Sequence, residues 1–264
     1  GGKMRSTDSA DDLFRGPETE RPAAVRLATA KRGGVTVTRV EIAREGLARP
    51  RGRYVTLEMP SVSVLDERDT DVIETGAAEL RALLPPEGPV LVLGIGNRRV
   101  TADALGPRTA QKILVTMGPQ HTLPVRGIRP VAALAPGVSG DTGLTLRQLA
   151  AAMVDAVRPA ALICVDSLCS AEAARLGRTI QFSDTGLHPA DARHARHLDA
   201  AALGVPVIAT GIPTLMDADE GADLVLTPRA LDSVIAHGSA LLAGILNRAL
   251  QPRLSVAQLC WLTG

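Results

Sequence analysis

The sequence predicts an α/β fold: a single domain whose mostly parallel sheet is flanked by helices, with an antiparallel extension toward the N-terminus. Three observations carry this. Short continuous apolar runs at 90–93, 131–134, 161–165, 205–210 and 224–226 have the length and character of strands covered on both faces. Between them lie stretches with helical spacing at 102–115, 145–157, 171–176 and 228–250, and strands alternating with helices in this way build a parallel sheet with helices packed on it. Ahead of them, residues 35–42 and 53–58 are apolar at every second position, the period of half-buried strands that pair with each other.

Each element has its own local reason. Residues 4 to about 34 are polar, with Asp8, Asp11, Asp12, Glu18, Glu20, Pro17 and Pro22 and no sustained period, so residues 1–34 are read as a mobile arm and 35–264 as the α/β domain. A helix over 67–84 is ended by Pro85-Pro86, because a proline disfavours helical backbone in the residue before it. No internal repeat or low-complexity segment interrupts the alternation in the rest of the chain.

Composition narrows the function. The chain has 264 residues, 45% hydrophobic and 22% charged, which excludes a disordered polypeptide. Its 29 Lys and Arg against 28 Asp and Glu leave a net charge of +1, so nothing marks a nucleic-acid binder. Only Phe14, Tyr54, Phe182 and Trp261 are aromatic, too few for stacking platforms. Cys164, Cys169 and Cys260 form no CxxC pair and indicate neither a disulfide framework nor a thiolate zinc site, consistent with a reducing compartment. Uncharged runs such as 90–95 are far shorter than the ~20 residues of a membrane span, so a cytoplasmic protein without a membrane partner is expected.

In an open α/β sheet the site lies beyond the carboxyl ends of the strands. The first buried run ends Gly94-Ile95-Gly96-Asn97 and leads to Val100-Thr101-Ala102-Asp103-Ala104-Leu105-Gly106-Pro107, where Gly94 and Gly96 allow close backbone approach and Asp103 falls in the first turn of a helix. The competing reading is that Thr101 or Asp103 only caps that helix. As a nucleotide site the Gly-Ile-Gly turn fails, because no third glycine comes at dinucleotide-binding spacing. The run 161–165 leads into Asp166, an acid that is costly at a buried strand end unless paired or used, with helix capping again the alternative. Both acids would project from one sheet edge, and two carboxylates there suffice to activate a water and protonate a leaving group.

Two Asp-Thr-Gly triplets, at 141–143 and 184–186, are read as turns and not as a pepsin-like pair, since Ser-Gly and Phe-Ser precede them and not an apolar strand. Asp184 and His188 are kept as loop-support or binding residues, His188 also as a ligand or proton carrier. His194 and His197, flanked by Arg193 and Arg196, are read as solvated surface. The cysteines have no histidine placed beside them in sequence and are read as small apolar residues.

At these residues the chain resembles a known family. Gly52-Arg53-Tyr54-Val55-Thr56-Leu57-Glu58, Gly94-Ile95-Gly96-Asn97, the segment from Val100 to Pro107, Leu114-Val115-Thr116, Arg129-Pro130-Val131, Ala135-Pro136-Gly137-Val138, Ser183-Asp184-Thr185-Gly186-Leu187-His188-Pro189 and Leu203-Gly204-Val205-Pro206-Val207-Ile208-Ala209 occur in the order found in the germination proteases of spore-forming bacteria. The resemblance runs from about Gly33 to Leu250. It implies a phosphorylase/hydrolase-like α/β fold, distantly similar to hydrogenase maturation endopeptidases, and an atypical aspartic endopeptidase that degrades small acid-soluble spore proteins at germination. It also implies Asp103 and Asp166 as the essential acids, a zymogen that trims its own N-terminus, a homotetramer, and residence in the forespore or spore core. Apart from the resemblance, no metal or other cofactor is expected, because His188 is the one evident further ligand near this edge. Two departures stand out. The chain reads Arg5-Ser6-Thr7-Asp8-Ser9-Ala10-Asp11-Asp12-Leu13 where members carry an Arg-Thr-Asp-Leu-Ala-like stretch, and the region between Asp223-Leu224-Val225-Leu226 and Thr227-Pro228 is shorter than in the family. The alternatives are a metal-dependent peptidase in which the same acids, with His188, hold a cation, and an inactive binding protein of the same fold.

Overall fold

A computed structural model describes residues 7–14, 16, 17, 19, 21–118, 127–188, 197–217 and 225–263. Their centre is a mixed sheet in the order β5-β4-β6-β8-β7-β3-β2-β1. These strands span Val131–Leu134 (β5), Val90–Gly94 (β4), Ala161–Cys169 (β6), Val207–Asp217 (β8), Thr179–Ser183 (β7), Gly52–Glu58 (β3), Val35–Ile42 (β2) and Val25–Arg32 (β1). The first four run parallel to one another and the others pair antiparallel, with a short strand β9 (Val225–Leu226) antiparallel on the end of β8. The class is the one expected, a single α/β domain, with an antiparallel half wider than the two alternating segments suggested.

The helices cover both faces for a simple reason: each carries one apolar stripe. On one face, Thr70–Leu83 (α2), Leu105–Ala110 (α3), Leu231–Leu250 (α7) and Val256–Thr263 (α8) enclose the larger core, with Ile73, Leu80, Leu105, Leu242 and Ile245 against Leu57, Val92, Ile163 and Phe182. Gly76 on α2 lies against Ile245, and Gly244 on α7 lies against Ile73, so the two helices interlock at their smallest residues. By length and composition α7 could cross a membrane, but 67% of its apolar window is buried among α2, α3 and α8, which makes it a core helix. On the other face, after a single helical turn at Ser139–Thr142 (α4), Leu146–Val157 (α5) and Ala200–Leu203 (α6) cover Leu91, Leu93, Leu162 and Cys164. Thr145 and Gln148 close a reciprocal capping box at the start of α5, which fixes where that helix begins.

Several elements differ from expectation. The 102–115 helix is a 3-10 turn (Thr101–Asp103) leading into α3, which ends at Ala110 in tighter turns: the Lys112 and Ile113 amides reach back only three residues, to the Thr109 and Ala110 carbonyls, and the Leu114 N–H leaves the helix for the Asn247 side chain. Only a 3-10 turn at Ala173–Arg175 stands where a helix was expected over 171–176. β6 does not end at Val165 but continues through Asp166 to Cys169, because β8 keeps pairing with it as far as Leu215. Strand β7 was not foreseen, so the Asp184 triplet does come after a strand, although the pepsin comparison still fails on the α/β architecture. β1 lies inside the segment read as an arm. It pairs with β2 along its whole length, and the joining Gly33-Gly34 turn, with φ of +50° and +79°, uses conformations that only glycine adopts cheaply. His194, and residues 223–224 and 5–6 of the two family departures, lie outside the described residues.

The segment at Thr7–Phe14 is also held. Helix α1 (Ala10–Phe14) packs Ala10 and Phe14 against Val25, Val40, Ile42 and Tyr54. Asp11, 1% exposed, accepts hydrogen bonds from Thr56 Oγ1 (2.7 Å) and Arg175 Nη2 (2.8 Å), and Arg175 also meets Asp12. Burial pushes the Asp11 carboxyl up, but the Arg175 guanidinium with the Ser9 and Thr56 hydroxyls outweighs it and holds the group below the usual carboxylate range. A carboxyl depressed on folding adds stability above its unfolded pKa of about 3.9, and that stability is lost as pH falls through the lower folded value. Breaking a buried pair leaves one charge uncompensated at about 3–5 kcal/mol. Arg175→Ala is therefore expected to release this segment at neutral pH, and acidification below about pH 4 to weaken it in the parent protein. Limited proteolysis within residues 7–14 checks both; equal protection in the variant would contradict the assignment.

Candidate active site

The chain leaves β4 toward β5 on one side, then crosses through α5 to β6 on the other side of β4. The strand order thus reverses between β4 and β6, and the crevice beyond their carboxyl ends is the topological switch point where open α/β sheets place their ligands. Asp103 and Asp166 both lie there. Pairing of β4 with β6 stops at Gly94 opposite Val165, which makes Asp166 the first residue of β6 beyond the end of β4. The 3-10 turn carrying Asp103 packs against both β6 and β8, and Thr214 Oγ1 on β8 donates to the Ala102 carbonyl that precedes Asp103 (2.9 Å).

Glycines make this approach possible. Gly106, at the start of α3, sits so close to the ends of β4 and β6 that a Cβ there would overlap the carbonyls of both Ile95 and Val165. A Cβ on Gly94 would in turn overlap the Gly106 carbonyl. Gly96, with φ +126°, lies against the backbone and carboxylate of Asp103. The Asn97 N–H then donates to Asp103 Oδ2 (2.7 Å), while Asn97 Oδ1 accepts from the Arg99 N–H (2.9 Å). Gly94, Gly96, Asn97 and Asp103 are therefore one construction. Asp103 does not cap α3, whose N-terminus has no side-chain cap; its carboxylate closes the loop in front of the helix.

Asp166 is 5% exposed, and its Oδ1 accepts from the Ser167 N–H (2.8 Å). It caps no helix, being inside β6. Register aligns it across the sheet with Gly211 on β8, Gln181 on β7 and Thr56 on β3. Gly211, where a Cβ would overlap the Asp166 carbonyl, and Gln181, whose buried Nε2 has no partner among the described residues, carry no local sequence signal of a site. The Cys164 thiol is fully enclosed, and burial together with the Asp166 charge pushes its pKa far up, so it is not a nucleophile.

The other two sequence candidates lie elsewhere. β7 runs antiparallel to β8, so Asp184 leaves the sheet toward the amino ends of the parallel strands, where its carboxylate takes the Arg53 backbone N–H and Nε–H, each at 2.7 Å. Asp184 is a tie between β3 and β7. His188 bonds to the Thr185 carbonyl (2.8 Å) and to His197, and no hydrogen bond among the described residues joins it to Asp103 or Asp166. Among the described residues no three His, Cys, Asp or Glu converge as a metal cluster. A cleft between α7 and α8, lined by Lys112, Asn247, Leu259 and Cys260, contains none of the sequence candidates.

Comparison with known proteins gives the family of the chain. The family profile for germination protease matches residues 7–220. A germination protease of Clostridium perfringens is 32% identical over 278 aligned positions, covering 83% of this chain and 86% of that protein. The alignment is longer than this chain of 264 residues, so the relative has segments that the chain lacks. Germination proteases of Bacillus velezensis and Caldanaerobacter subterraneus subsp. tengcongensis are 37% and 40% identical, over 78% and 70% of this chain and 58% and 61% of their own lengths. A hydrogenase maturation protease structure from Thermococcus kodakarensis aligns at 16% identity and a TM-score of 0.42, over 65% of this chain and 98% of that one, too distant to bear on the site. With a profile match across most of its length and relatives above 30% identity over more than two thirds of it, the chain belongs to the germination protease family.

Proposed function

We propose that the chain is an endopeptidase of the spore core that opens the degradation of small acid-soluble spore proteins at germination, with Asp103 and Asp166 as its catalytic pair. The observation that supports this most is their placement: two carboxylates on one switch-point edge, each accepting a backbone N–H that orients it. In this scheme the pair holds one proton. The ionised acid takes a proton from a water as its oxygen adds to the scissile carbonyl carbon, and the protonated acid gives its proton to the amide nitrogen as the C–N bond breaks. Incubation of the purified chain with small acid-soluble spore proteins, with fragments read by mass, tests the proposal; discrete internal cuts are expected, and intact substrate at high enzyme concentration would contradict it.

Water as nucleophile also sets an expectation for nearby side chains. No base contacts Ser167 Oγ, which is buried without a partner among the described residues, and Cys164 is held as a thiol. Ser167→Ala, Cys169→Ala and Cys164→Ala should each keep turnover within about tenfold of wild type, since none removes a group that general acid–base chemistry needs. Loss of turnover in Cys169→Ala, with unchanged circular dichroism, would argue for a covalent route.

A further inference from the structure

The structure assigns a divalent-cation site of the borderline-soft kind, taking Zn2+ and its neighbours Ni2+ and Cu2+, to the histidine pair His188 and His197. The pair is made by a short antiparallel bridge. Leu187 and Leu198 exchange both backbone hydrogen bonds, at 2.8 and 3.1 Å, with their side chains in the core. In an antiparallel ladder the next opposing pair, here His188 and His197, points to the other face with its side chains close together. Their Nδ1 atoms are 3.3 Å apart. Two imidazole nitrogens on one tetrahedral cation, each at roughly 2.0–2.1 Å, stand about 3.3–3.4 Å from each other, so the spacing is already that of a chelating pair.

The tautomer of His188 fits the same use. Its Nε2 lies 2.8 Å from the Thr185 carbonyl, which can only accept, so Nε2 carries the proton and the Nδ1 lone pair faces His197. Asp199 Oδ2 lies behind the same Nε2 at 4.0 Å, while Oδ1 caps α6 through the Ala202 N–H. A ring N–H given to a carbonyl with a carboxylate nearby is the usual outer support of a metal-binding imidazole, fixing its orientation. The backbone is pinned as well: Arg49 Nη1 donates to the His188 carbonyl (3.1 Å), and the Arg49 charge is offset by Asp8 at 3.7 Å. Two imidazoles favour Zn2+, Ni2+ or Cu2+ over Mg2+ or Ca2+, which prefer oxygen ligands. With His188 only partly exposed and His197 exposed, water can complete the coordination. The site is separate from Asp103 and Asp166 and does not depend on what the chain cleaves.

The test is a titration of the full chain with Zn2+ against a chromophoric chelator, run in parallel with observation of the imidazole 15N resonances. One Zn2+ per chain is expected, with affinity at least tenfold weaker in His188→Gln and in His197→Gln, unchanged in His237→Gln, and not displaced by millimolar Mg2+. In the unaltered chain the Nδ1 signals of both His188 and His197 should move on Zn2+ addition, which decides the matter even if a variant fails to fold. Wild-type affinity in both folded variants, or unmoved Nδ1 signals at saturating Zn2+, would overturn the assignment.

Discussion

Asp166→Asn and Asp103→Asn are each expected to lower the rate of spore-protein cleavage by about 10²–10⁴-fold, the usual contribution of a positioned acid or base. The amide has nearly the volume of the carboxylate and can still accept the backbone N–H of Ser167 or Asn97, so the fold should persist. What is lost is the ability to take or give a proton. The double variant should be little worse than the worse single one, because residues that act as a unit lose their function together. Circular dichroism and thermal unfolding separate this from collapse. A single variant keeping more than about a tenth of wild-type kcat/KM would remove that residue from the chemistry, since the loss would fall below the range for an acid–base group.

Gly106→Val is expected to damage the protein in a different way. Its Cα is packed between the Ile95 and Val165 carbonyls, backbone atoms that cannot swing aside, so any side chain must push α3 off the sheet. Overpacking of a well-filled interior costs about 1–3 kcal/mol and sometimes more, and a branched side chain against fixed backbone belongs at or above the top of that range. Because Gly94, Gly96 and the Asp103 loop close on the same point, activity should fall even at temperatures where the variant is folded. Gly106→Ala should show the same losses in smaller measure. Unchanged thermal stability in Gly106→Val would mean that the close packing of α3 on β4 and β6 is not as described.

Much of this fold is legible in the sequence because burial on two faces leaves a strong signature. Val90–Gly94 and the first half of β6 are apolar without interruption, since helices cover both sides, and Thr145 with Gln148 announces the start of α5. Asp166 comes directly after such a run and Asp103 in the loop that leads from the other into α3, both where an open α/β sheet places its ligands, and both are therefore visible from the chain alone. β7 leaves no such mark because half of it is polar yet buried: Thr179 is 0% and Gln181 8% exposed, held by neighbouring strands and not by their own hydrophobicity. The far half of β6 is hidden for the same reason, since a strand's continuation past Asp166 depends on the partner β8. Asp184 reads as site support because it stands in a conspicuous motif; strand direction, which local sequence does not encode, sends it to the other end of the sheet. The closeness of His188 and His197 depends on the Leu187–Leu198 bridge and is invisible along the chain.

The claim that two carboxylates and a water carry the chemistry is tested most directly by removing divalent cations. With water as the nucleophile, neither Asp103 nor Asp166 needs a cation to hold its charge or its position, their orientation coming from the Asn97 and Ser167 amides. Enzyme dialysed against a strong chelator should cleave small acid-soluble spore proteins with the same kcat/KM as untreated enzyme, even though any Zn2+ on His188 and His197 would be stripped by the same treatment. Cleavage that disappears on dialysis and returns with added zinc, nickel or manganese would contradict it and make the two acids metal ligands.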